Sequence, residues 1–185
     1  SLSLARDALD LTLQAEESFW EQGHMRMVQI WSLYYLGEVK EMTRLGARLY
    51  YDSMARDDVW SASGAVLGLG TLAFLQLHGP EKSRAEAALF MSRWSQKGYH
   101  MQHYFHLLTN LHIDLYSGDD TMAFNRLHGN WGALKRSLLL LVPSIRNEAF
   151  FFQAHTALKM ATRANGSEER DLLQIARKGA RVLGK

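Results

Sequence analysis

Proline interrupts this 185-residue chain only twice, at Pro80 and Pro143. Helix interiors exclude proline, because the ring removes an amide donor and clashes with the preceding turn, whereas loop-rich and all-β chains use it freely. Long helices with short connections are the expectation. Apolar residues make up 47% of the chain and charged residues 22%, the balance of a compact soluble domain rather than a disordered segment. A chain of this size can bury about 70% of its unfolded surface, so it needs neither metal nor crosslink to fold. No cysteine is present, which removes disulfide frameworks and thiol nucleophiles and fits a reducing, cytoplasmic setting. A net charge of +2 is too balanced for an electrostatic nucleic-acid binder unless the charge is concentrated somewhere. The most apolar run, residues 62–77, contains Thr71 and Gln76 and falls short of the ~20 residues that span a bilayer. It reads as a buried helix, and no membrane partner is expected.

Glycine supplies the punctuation that proline does not. Tyr34-Tyr35-Leu36-Gly37, Leu77-His78-Gly79-Pro80, Leu115-Tyr116-Ser117-Gly118 and Arg163-Ala164-Asn165-Gly166 each look like a helix stop, with glycine free to take the left-handed backbone that closes a helix. These glycines lie 42, 39 and 48 residues apart, close to the period of helix-pair repeats. Phe19-Trp20-Glu21-Gln22-Gly23-His24-Met25 is echoed, with small insertions, by the stretch from Arg93 to Met101. Between the glycines the apolar residues recur with helical spacing. Val39, Met42, Leu45 and Leu49 form one stripe, Ala123, Phe124, Leu127, Trp131 and Leu134 a second, and Leu172, Leu173, Ala176 and Ala180 a third. Asp119, Asp120 and Ser167 stand where helix caps are expected. The expected organisation is one all-α domain over 1–185. It consists of a helix over 2–22 and helix pairs over 25–57, 59–97, 99–135 and 138–184, stacked as an α-solenoid and cut from a longer array.

A bulky residue beside glycine at the turn, followed by small residues in the second helix, resembles the tetratricopeptide repeat, which implies a right-handed superhelix. Over about three quarters of the chain, four segments are similar to the C-terminal helical-repeat region of large bacterial serine/threonine protein kinases. They are Trp31-Ser32-Leu33-Tyr34-Tyr35-Leu36-Gly37-Glu38, the stretch from Arg93 to Tyr104, Ile113-Asp114-Leu115-Tyr116-Ser117-Gly118-Asp119 and Arg136-Ser137-Leu138-Leu139-Leu140. The chain carries no kinase motif. The resemblance therefore implies a regulatory, signalling or protein–protein interaction segment and not a catalyst, with the kinase's other domains among its possible partners.

The residues themselves offer little chemistry. His100, His103, His106 and His112 crowd one helix, and His103 with His106 share a face, but a closed metal site needs three or four ligands and the nearest acids are two or more turns away. Gly64, Gly68 and Gly70 lack both the preceding strand and the Gly-Lys-Ser/Thr of a phosphate loop, so they are expected to let helices approach closely. No nucleophile elbow occurs. No cofactor and no metal are expected. What remains is a polar stripe on the first helix of each pair, suited to holding an extended peptide or helix. Arg26 and Gln29 supply it in the first pair, His103, His106, Asn110 and Asp114 in the third, and Arg146 and Asn147 in the fourth. Trp31, Trp94 and Trp131 are assigned to core packing. The alternative reading is a spacer or dimerisation scaffold with no groove. From Arg163 onward six basic residues, including Lys185, stand against three acidic ones, but nucleic acid is not the expected partner.

Overall fold

The computed structural model of the chain describes residues 2–14 and 19–184. Ser1, residues 15–18 and Lys185 lie outside the described residues, as do the side chains of Ala5, Leu13, Gln14 and Phe19. Every regular element among the described residues is helical, as the proline count predicts. Where a single domain is expected, the chain divides between Trp94 and Ser95 into two compact units. The divide falls at a run that cannot be buried as helix: Ser95, Gln96 and Lys97 are exposed, and Gly98 takes φ +83°.

Unit one holds α1 (Leu2–Gln14), α2 (Phe19–Leu36), α3 (Val39–Ala55), α4 (Val59–Val66), a 3-10 turn (Gly68–Gly70) and α5 (Thr71–Ser92). Neighbours in sequence pack as neighbours in space, and α5 also packs on α3. The helix expected over 2–22 resolves into α1 and the opening of α2, so the first pair starts at Phe19 and not at 25. Helix α2 ends because Gly37 takes φ +73°. The Gly37 N–H then donates to the Tyr34 carbonyl at 3.1 Å and the Glu38 N–H to the Leu33 carbonyl at 3.0 Å, satisfying the last carbonyls of the helix. Helix α3 closes by the same paired bonds on Asp57, at φ +57°, with the Asp58 N–H donating to the Ser53 carbonyl at 2.9 Å. Aspartate is one of the few residues that enter this backbone region at modest cost.

The apolar run 62–77 is not the single helix expected. Helix α4 stops at Val66, and its axis and that of the stretch from Gly68 to Ser92 differ by 57°. Gly68 turns the backbone at φ +63°, and Thr71 Oγ1 donates to the Val66 carbonyl at 2.9 Å to hold the corner. The close-approach role expected of these glycines is met at the corner. A Cβ on Gly64 would collide with the Met27 side chain of α2, and one on Gly70 with the Gly64 and Ala65 carbonyls. The stretch α5 is two helices in succession: Gly79, at φ +77° and ψ 173°, ends the first, as its place in the Leu77–Pro80 stop predicts, and Pro80 opens the second. No single described helix is long and apolar enough to cross a membrane.

Unit two holds α6 (Met101–Tyr116), α7 (Asp120–Arg136), a 3-10 turn (Leu139–Leu141), α8 (Pro143–Ala161) and α9 (Gly166–Leu183). Gly118 closes α6 with the bond pair seen at Gly37, and Asp119 Oδ1 caps α7 by accepting the Met122 N–H at 2.9 Å. Asn165, not Ser167, occupies the N-cap position of α9. Helices α8 and α9 are antiparallel and in close contact: a Cβ on Gly179 would lie 2.8 Å from the Phe150 carbonyl oxygen and 2.9 Å from Ala154 Cβ. Ala157, Ala161, Leu172 and Ala176 form the core between them. In α6, residues 107–114 are all buried.

Candidate functional site

The polar stripe of unit two does not line an open groove. Asn110 and Asp114 are buried, because α6 is enclosed on the side where they point. Asn110 Nδ2 donates to the His106 carbonyl at 2.9 Å and lies 3.1 Å from His106 Nε2, so its amide serves α6 itself. Asp114 is bound by Arg126 of α7 through Nε at 2.7 Å and Nη2 at 3.4 Å. This nearly bidentate pair joins the two helices of the hairpin and leaves little of the carboxylate for a partner. His103 is half-buried, and its Nδ1 accepts the His100 N–H at 3.1 Å at the start of α6. Burial and the neighbouring His100 hold its pKa below the ordinary imidazole value.

In unit one, Arg26 reaches from α2 to Asp52 of α3 at 3.3 Å. Burial and the neighbouring Arg48 lower its pKa, against the opposing pull of Asp52. Gln29 is buried and is not available to a partner. Of the eight stripe residues only Arg146 and Asn147, in the first two turns of α8, are exposed. The tryptophans are half-buried: Trp31 meets His24 edge-on, Trp94 meets Trp60 and Trp131 meets Phe150.

A recurrent arrangement escaped the sequence reading. In unit two, Tyr104 Oη donates to Glu148 Oε2 at 2.8 Å, linking α6 to α8, while Glu148 Oε1 is buried without a hydrogen bond. In unit one, Tyr50 Oη donates to Glu86 Oε1 at 3.2 Å, linking α3 to α5, while Glu86 Oε2 is likewise buried and unbonded. Burial pushes Glu148 up to about 7, and the Tyr104 hydrogen bond only partly opposes the shift. Burial, then the Glu86 charge, pushes the Tyr50 phenol up to about 12. The signal was in the spacing: Glu148 interrupts the stripe Ile145, Ala149, Phe152, and Glu86 the stripe Ser83, Ala87, Phe90. A carboxylate within an apolar stripe marks a buried acid.

His112 is buried, with its ring edge-on to Phe152 of α8 at 5.1 Å, and burial lowers its pKa to about 4. Among the described residues no group of three or more histidine, aspartate or glutamate side chains is placed to hold a metal ion. Asp120 is buried and takes Arg163 at 2.8 Å and Lys159 at 3.7 Å, which accounts for its position beside Asp119 without a metal. No family model matches the chain, and no curated protein or solved structure matches it.

Proposed function

We propose that this chain is a non-catalytic protein–protein interaction module. In this reading its paired helices belong to a tetratricopeptide-like solenoid from the regulatory C-terminal repeat region of a bacterial serine/threonine protein kinase. The observation that carries it is the contact between alternate helices in unit two. Helices α6 and α8, the first members of successive pairs, meet through Tyr104 with Glu148 and His112 with Phe152, while α7 packs on both. In solenoids each pair buries its apolar face only against its neighbours, and contact between first helices is how the array propagates. The matching closures at Gly37 and Gly118, and the resemblance of the four segments, support the same reading.

The accessible part of the stripe, Arg146 and Asn147, is where a partner would dock. The immobilised chain should retain a protein partner, first the kinase domain of its own parent polypeptide, and Arg146→Ala with Asn147→Ala should weaken retention about tenfold with an unchanged melting temperature. Full retention by that variant would count against this surface. Kinase motifs in the reading frame ahead of Ser1 test the parentage directly.

A further inference from the structure

The α7–α8 connection of unit two carries an apolar tip on a cationic end. Leu138 is 67% exposed, Leu141 76% and Val142 40%, three large apolar side chains within five residues of a single loop. Single exposed leucines are ordinary; a run of them held outward is not. The loop holds them by an unusual backbone. Leu138 sits at φ +64°, where a β- or γ-substituted residue is strained, and the next three residues form a 3-10 turn. The Leu141 N–H donates to the Leu138 carbonyl and the Val142 N–H to the Leu139 carbonyl, both at 3.0 Å, and the Leu139 N–H donates to Ser137 Oγ at 3.3 Å. The tip therefore has its own internal partners for these amides, the condition a loop must meet to leave water for an apolar medium.

Cations surround the tip. Lys135 and Arg136 end α7, Arg146 begins α8, and Arg181 lies near the same end because Gly179 of α9 packs over Phe150 and Ala154 of α8. All four are exposed, and none makes an ion pair or hydrogen bond through its side chain with a described residue. The acid there is Glu148, which is largely buried and held by Tyr104. The acids Asp114, Asp119, Asp120, Glu168 and Glu169 lie instead toward the opposite end of the unit, where α6 and α8 finish and α7 and α9 start. Bases share that end too, Arg126 being paired with Asp114 and Lys159 and Arg163 with Asp120, so the contrast at the tip is that its four cations have no acid beside them but Glu148.

We propose that this end of unit two docks on an anionic lipid surface, with Leu138, Leu141 and Val142 dipping into the interface and the four cations meeting the headgroups. An apolar wedge with a basic rim is the chemistry that binds such surfaces shallowly, and it requires no spanning helix. A second copy of the chain fits poorly, because a twofold contact through the tip would oppose like charges. The expectation of no membrane partner rested on span length, which does not bear on a peripheral tip.

Co-sedimentation of the full chain with vesicles tests it. Vesicles mixing phosphatidylglycerol with phosphatidylcholine should retain the chain, phosphatidylcholine alone should not, and rising salt should release it. Leu138→Gly with Leu141→Ser should lower retention about tenfold, and Lys135→Gln with Arg136→Gln about tenfold or more. Arg146 also belongs to the candidate protein-binding surface, so these variants leave it intact. Glycine suits the backbone at 138, and a melting curve checks that both variants fold. Failure of the wild type to bind phosphatidylglycerol vesicles overturns the proposal. Binding unaffected by the leucine changes, the behaviour of a generic polyanion site, overturns it too. So does a wild-type dimer in light scattering that those changes convert to monomer.

Discussion

Gly129 and Gly179 both lie inside helices, and opposite constraints act on them. A Cβ at Gly129 would meet nothing within 4 Å, whereas one at Gly179 meets the Phe150 carbonyl and Ala154. Gly129→Ala should therefore stabilise the chain by about 0.5–1 kcal/mol through the unfolded-state entropy that glycine adds. Gly179→Ala should destabilise it by about 1–3 kcal/mol, because α8 and α9 must separate to admit the methyl group. Thermal melts of the two variants, measured together, check both signs. At Leu138 the left-handed backbone costs a leucine about 1–2 kcal/mol, so Leu138→Gly should not lower the melting temperature. Residue type alone separates none of these positions: Gly129 and Gly179 are alike in the sequence, and nothing about a leucine announces the left-handed backbone at 138. Whether a glycine serves a turn, a close approach or nothing depends on what stands opposite its Cα, which no single-chain pattern contains.

For elements, legibility followed the strength of local closure. The stops at Gly37 and Gly118 were readable because glycine, its preceding aromatic and the following acid are all local, and the observed bonds span only six residues. The break between α4 and α5 was not, since an unbroken apolar run gives no period to interrupt. The stripe on α6 misled in a different way. Helical periodicity identified Asn110 and Asp114 as sharing a face, but a polar face can be turned inward if its groups find partners, and Arg126 is that partner. Asp114→Ala should consequently cost about 2–4 kcal/mol, read by chemical denaturation, because it leaves a half-buried guanidinium unpaired. An interaction site on this face would instead make Asp114→Ala neutral for stability.

The molecule as a whole carries two further consequences. The exposed, non-helical segment at 95–98 between the units should be the first site of limited trypsin digestion, at Lys97, and gel analysis should show two fragments before any smaller product. Early cleavage within α6 or α8 would contradict the division. Stability should also depend on pH through two opposed groups in unit two. Glu148, raised from 4.5 to about 7, favours its neutral form in the fold, so its contribution is complete below pH 4.5 and is lost as pH rises through 7. His112, lowered from 6.5 to about 4, contributes above pH 6.5 and loses that contribution as pH falls through 4. The two slopes partly cancel between these limits. Glu148→Gln should keep the Tyr104 bond, remove the decline toward neutral pH and stabilise the chain at pH 8 by about 1–3 kcal/mol. His112→Leu should remove the decline toward acid. Neither group was legible as buried from composition, since glutamate and histidine are mostly surface residues and only their place within an apolar stripe distinguishes them.

The enclosure of α6 sets a clock for the fold. With residues 107–114 all shielded, their peptide hydrogens have no local route to solvent, and in deuterated water they should exchange only through a cooperative opening. Amides of the turn at 137–142 should exchange early by comparison, although several are internally bonded, because they lie at the water-facing end of the unit. Mass-spectrometric peptides from these two regions would then time, in one experiment, the opening that frees α6 and the breathing of the exposed tip.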